Sequence, residues 1–247
     1  MLEARVRELI GECQRLYDDL GPIEAIHEHL RVLPIAHGWY MAVRRASEAV
    51  ILLTDAGHDL EASPLRRYVI EHAVALRWLA EASDDAVTAI LRGHQHWLRT
   101  LQSSAQAAGS DVAQDPAFDI MLGIDPGTSS DDHYLHFRQR CDNFGSPQLM
   151  YGYAIETNRS HPSFSTAEVF LDHQGDGEAP LLLHEPRPGF PDMLSTVLAC
   201  LLHASESLNR LIVDQPWSAD LHRIDAELRS DIELAAPTGD QPGPPTH

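Results

Sequence analysis

The stretch from Pro64 to Ala82 constrains the fold more than any other part of the chain. Leu65, Tyr68, Val69, Leu76 and Leu79 fall on one helical face and Ile70, Val74 and Trp78 on another, so little of the circumference is left for water. A helix of this kind must lie centrally, packed on two sides. Ser63-Pro64 reads as its start, with serine as N-cap and proline at the first helical position.

Apolar residues recur at helical spacing along most of the sequence, with no alternating strand series and no internal repeat. Leu2, Val6, Leu9, Ile10, Cys13, Leu16, Tyr17 and Leu20 form one stripe closed by Gly21-Pro22, which predicts an amphipathic surface helix. A short helical stretch then runs to about Leu33, Pro34 interrupts, and a long helix is expected from roughly Ala36 to Ala56, ahead of Gly57. The central helix ends near Ala82, where Ser83-Asp84-Asp85 caps the next; its stripe is Val87, Ile90, Leu91, His94, Leu98 and Leu101. Residues 109–130 read as a mobile loop rich in Gly, Ser, Asp and Pro. Helices are expected near 131–143, from about Pro147 to Ser160, and after a capping box at Ser165-Thr166-Ala167-Glu168. The stretch 173–191 is an irregular excursion with room for a short hairpin, two last helices cover about 192–213 and 218–235, and Pro237 to His247 reads as disordered. The expected architecture is all-α, a bundle of about seven or eight helices. It divides into an N-terminal helical segment over 1–35 packed on the bundle, a helical domain over 36–235 and a tail over 236–247.

With 247 residues, 43% apolar and 22% charged, the chain can bury a sizeable core. All 18 basic residues are arginine, so chemistry that needs a phosphate-loop, Schiff-base or kinase-strand lysine is closed to it. Each positive charge is instead a guanidinium, shaped for planar paired contacts and unable to act as a base near neutral pH. The net charge of -19 is uneven: -4 over 1–30, 0 over 31–108, -5 over 109–150 and -10 over 151–247. Only 31–108, with Arg44, Arg45, Arg66 and Arg67, can turn a positive face to phosphate, so RNA contact is confined to that face and strong non-specific DNA binding is not expected. Cys13, Cys141 and Cys200 are too widely spaced for a Cys-x-x-Cys pair and form no disulfide framework, which fits a reducing cytoplasm. The N-terminus does not read as a signal peptide, and the longest apolar stretch, around Met193 to Ala204, is too short for a bilayer; no membrane association is expected.

Arg67, Glu71, His72 and Arg77 sit on the central helix with few routes to solvent. Each must find a partner, since an unsatisfied buried polar group costs about 1–3 kcal/mol. In the architectural reading Arg67 and Glu71 form an i,i+4 ion pair and His72 hydrogen-bonds a neighbouring helix. A second cluster lies in the run Tyr151 to Ser163. There Glu156 and Ser160 share a face at i,i+4, and Pro162 forces the chain out of helix after His161. Its plain reading is a polar helix end, with His161 near the last carbonyls. In the functional reading Glu71, Glu156, Ser160 and His161 form one polar cluster with the central helix.

The run Leu65-Arg66-Arg67-Tyr68-Val69-Ile70-Glu71-His72-Ala73-Val74-Ala75-Leu76-Arg77-Trp78-Leu79, followed by Tyr151, Glu156 and Ser160-His161-Pro162-Ser163, resembles a bacterial family of helical domains of unknown function that is similar to the HEPN-like superfamily. The resemblance covers about residues 36–212 and implies a HEPN-like helical bundle. Many members of that superfamily are metal-independent ribonucleases whose dimers bring together an Arg-x(4–6)-His motif, which implies Arg67 and His72 as catalytic residues in a homodimer. The chemistry is sound, with imidazole as base toward a ribose 2′-hydroxyl and guanidinium steadying the phosphorane. The spacing itself is uninformative: it occurs at Arg31 with His37 and at Arg66 and Arg67 with His72, no more often than 18 arginines and 15 histidines give by chance. On an ideal helix Arg67 and His72 also diverge by about 140°, so they share one phosphate only across a dimer or in a distorted helix.

A helical-bundle metal enzyme is a further reading. Against it, His27-Glu28-His29 and His94-Gln95-His96 are i,i+2 pairs on different helix faces, and the chain has a single Glu-x-x-His, Glu24 with His27. No metal and no cofactor is expected. Two functional classes stay open: a HEPN-like binding or regulatory protein held together by its central polar cluster, and a metal-independent endoribonuclease acting as a homodimer.

Overall fold

The computed structural model describes residues 2–109, 132–172, 181–187 and 193–235, and these form an all-α fold with one two-residue strand pair. Helix α1 (Leu2–Asp18) buries Val6, Leu9, Ile10 and Cys13, the stripe expected of an amphipathic helix. A 3-10 turn at His27–His29 leads to α2 (Leu33–Asp55). Pro34 does not interrupt the helix but occupies its first turn, where a missing N–H costs nothing. At the far end Gly57, with φ +79°, donates to the Thr54 carbonyl while His58 donates to Leu53, a left-handed stop that glycine adopts without strain.

Helix α3 (Asp59–Ala107) is the axis of the molecule. It begins ahead of Pro64, so Ser63 lies inside the helix and its hydroxyl turns inward instead of capping. Ser83 divides α3. Its backbone is non-helical (φ 52°, ψ -123°), and its hydroxyl lies 3.3 Å from His29 Nδ1, beside an Arg31–Asp84 ion pair. The break expected from Ser83-Asp84-Asp85 is therefore present, as a kink between two helical halves. Before it, Val69, Ile70, Ala73, Val74, Leu76, Trp78 and Leu79 are all buried, as two apolar faces require.

The helix expected near 131–143 is two, α4 (Asp132–Leu135) and α5 (Phe137–Phe144), separated where His136 takes an extended conformation. Helix α6 (Pro147–Ser160) follows, with Ser146 Oγ accepting from the Leu149 N–H at 3.2 Å. In α7 (Phe164–Glu168) the N-cap is Ser163, accepting from the Thr166 N–H at 3.1 Å, and not Ser165. The reason is local: His161-Pro162 leaves the helix early and Ser163 is already extended (φ -141°), the conformation an N-cap needs. Strands β1 (Leu171–Asp172) and β2 (Leu181–Leu182) pair antiparallel, Leu171 opposite Leu182. Helices α8 (Leu194–Asn209) and α9 (Ser218–Ala235) complete the described chain.

α2 packs along α3, and α5, α6 and α8 pack on α3 as well; α8 also meets α1, α2 and α9. α8 is buried around most of its girth through Leu194, Val197, Leu198, Leu201, Leu202 and Leu208, which makes it a second core helix beside α3. Arg5 pairs with Glu227, and Arg223 with Glu12 at 2.7 Å, clamping α1 to α9. The three cysteines are free and buried. No helix among the described residues is long and apolar enough to cross a membrane. The expected mobile loop at 109–130 falls, beyond residue 109, outside the described residues, as do the tail over 236–247 and most of the excursion at 173–191.

Candidate functional site

The polar residues singled out in the sequence do not form one cluster. They separate into two, and adjacent arginines of α3 lead one each.

The inner cluster is built on Glu156, which is fully buried where α6 packs on Ile70 of α3 and Thr196 of α8 near Gly152, one turn earlier. A carboxylate there needs compensation on every lone pair. Arg66 Nε donates to Glu156 Oε1 at 2.8 Å and Ser63 Oγ donates to Oε2 at 2.6 Å. Arg66 is itself only 4% exposed, and its Nη2 donates to the Asp59 carbonyl at 2.9 Å. Ser160 Oγ donates to the Glu156 backbone carbonyl at 2.6 Å, and it lies 3.5 Å from Ser63 Oγ. Each strong group has a partner within the fold.

The outer cluster sits one helical step around α3. Arg67 Nε donates to Glu71 Oε1 at 3.0 Å, the i,i+4 pair expected, with the two side chains 25% and 30% exposed. Arg67 Nη1 donates to His161 Nε2 at 2.5 Å, and Nη2 reaches the Tyr153 hydroxyl at 3.4 Å. His161 thus reaches across to α3 and does not lie back on its own helix end. The Arg67 guanidinium also lies 5.3 Å over the Tyr153 ring, which stacks on Phe137 of α5 at 3.9 Å; Arg140 approaches the Phe137 ring from 5.7 Å. Arg140 is 8% exposed, and burial lowers its pKa while the Glu71 charge opposes that.

His72 is set apart from Arg67. Its Nδ1 lies 2.9 Å from the Tyr68 carbonyl of its own helix, not a neighbouring one, and its ring packs on Tyr68 at 3.8 Å and edge-on to Trp39 of α2 at 6.3 Å. Burial is the main reason its pKa falls below the usual imidazole range. The carbonyl contact makes Nδ1 the protonated nitrogen and leaves Nε2 with a lone pair. Arg77 pairs with Glu81.

Sequence reasoning named Arg67 and His72 as candidate catalytic residues and Glu71, Glu156, Ser160 and His161 as a polar cluster. It missed Arg66 as the partner of Glu156, and also Ser63, Tyr153, Phe137 and Arg140. Adjacent arginines are alike in sequence, and only the 100° step between them decides which faces the core. Tyr153, one turn ahead of Glu156 on the same helix, was the available signal for the outer cluster. Among the described residues no three His, Cys, Asp or Glu side chains converge as metal ligands.

These features define the class: an all-α bundle with a sealed ion pair between α3 and α6 and a half-exposed polar cluster beside it. Residues 34–179, which hold both clusters, match the model of a family of unknown function, DUF5677, and the chain belongs to that family. No curated protein and no solved structure matches it.

Proposed function

We propose that the chain is a HEPN-like helical binding or regulatory module whose working surface is the outer cluster of Arg67, Glu71, Tyr153 and His161. The observation that carries this reading is the division of the polar residues. Ser63, Arg66 and Glu156 satisfy one another inside the bundle, while Arg67 and Glu71 keep about a quarter of their surface in water. The same division counts against an Arg-His nuclease pair within one chain: Arg66 is committed to Glu156, Arg67 turns toward α6, and His72 turns toward Trp39 of α2. The test is incubation of the purified chain with a mixed RNA pool in chelator. Intact RNA is expected; cleavage that His72→Ala abolishes would overturn the reading.

The alternative is a metal-independent endoribonuclease acting as a homodimer, with Arg67 of one copy facing His72 of another. One observation favours it: His72 is held neutral with its Nε2 lone pair available, which is how a general base must be presented. The same cleavage assay decides between the two.

A further inference from the structure

We propose that the outer cluster is an oxyanion site, in which Arg67 and Tyr153 hold a phosphate or carboxylate group carried by the ligand and His161 stands in that group's place when the site is free. This rests on the reading that the Arg67 surface is the working one. The guanidinium has three edges. Glu71 takes Nε, but among the described residues Nη1 and Nη2, the pair shaped for a planar two-oxygen acceptor, meet only an imidazole nitrogen and a phenol oxygen. His161 must be unprotonated at Nε2 to accept from Arg67. Tyr153 accepts from Nη2, so its own O–H stays available for a further acceptor.

The Phe137–Tyr153 stack fixes the phenol, so the Tyr153 hydroxyl and the Arg67 edge keep their separation without a ligand. Replacing the imidazole by a charged oxygen acceptor strengthens the Arg67 bonds, since charge-assisted hydrogen bonds are about twice as strong as neutral ones. His161 is exposed and follows the last residue of α6, where it swings aside without disturbing the core.

The experiment is thermal unfolding of the full chain at fixed pH and fixed ionic strength, titrated in parallel with inorganic phosphate and with succinate. A bound anion raises the melting temperature saturably, whereas a salt effect does not saturate. Saturation by phosphate, by succinate or by both is expected, and the stronger arm identifies the group the ligand carries. Arg67→Gln is expected to abolish the saturable response and Tyr153→Phe to weaken affinity several-fold, while Arg45→Gln, at an exposed site on α2, leaves it unchanged. Should Arg67→Gln fail to fold, Tyr153→Phe alone decides. No saturation with either anion, or saturation indifferent to both substitutions, overturns the proposal. Because RNA cleavage is not the readout, this result and that of the nuclease assay fail separately.

Discussion

Glu156→Ala gives the sharpest test of how the two clusters differ. The substitution removes the carboxylate facing Arg66, which is 4% exposed and keeps only the Asp59 carbonyl as a partner. A buried charge stripped of its partner costs about 3–5 kcal/mol. Against a typical stability of about 5–15 kcal/mol, that removes a large fraction of what keeps the chain folded. Glu156→Gln keeps the shape and one acceptor oxygen, and should cost about 1.5–3 kcal/mol, the value of hydrogen bonds to a charged group. The double substitution Arg66→Met with Glu156→Leu replaces the pair by apolar groups of similar size and should return to within about 1 kcal/mol of the parent. Arg67→Ala removes a pair in contact with water together with the His161 and Tyr153 contacts and should cost about 1–2 kcal/mol, less than Glu156→Ala. Urea unfolding followed by circular dichroism measures all four, with the slopes compared to confirm a common denatured state. If Glu156→Ala costs no more than Arg67→Ala, or if the double variant is as unstable as the single one, the inner cluster is not architectural and the division on which the functional reading stands is wrong.

Two further outcomes follow from buried or strained groups elsewhere. His203 of α8 contacts the Phe144 carbonyl at 3.0 Å, and burial, with Arg77 adding to it, lowers its pKa from 6.5 to about 4. The unfolded chain takes up this proton first, so the stability of the parent relative to His203→Gln should be full above pH 6.5 and fall by up to about 3 kcal/mol as pH drops toward 4. Parallel stability curves for the two proteins between those limits would refute it. Ser83 holds a backbone conformation that glycine adopts freely, so Ser83→Gly should stabilise by about 1 kcal/mol in urea unfolding, strain relief exceeding the added chain entropy. A net loss would show that the contact with His29 outweighs the strain.

How much of this was legible in the sequence depends on the range of the interaction involved. The two apolar faces of α3, the Ser146-Pro147 start of α6, the stop at Gly57 and the break at Ser83 are all encoded within a few neighbouring residues, and the structure has each of them. The Arg67–Glu71 pair was legible for the same reason, because i,i+4 neighbours meet on any helix. Ser63 was misread because Ser-Pro is a good helix start in isolation, and Glu156, 93 residues further on, gives that hydroxyl a stronger partner inside the bundle. The central place of α8 was invisible too, since an apolar helix shows its girth in the sequence but not which helices will surround it.

The clamp between α1 and α9 also orders events in time. Arg5 and Glu227 are 222 residues apart, and Cys13 meets Ser205 across 192. At a synthesis rate of about 5–20 residues per second, α1 therefore leaves the ribosome about 10–45 s before its last partner exists. Through most of that interval Val6, Leu9 and Ile10 have no α8 to bury them. A nascent chain halted before residue 194 should present α1 to protease and to chaperones, and release of the remaining helices should end that exposure in one step.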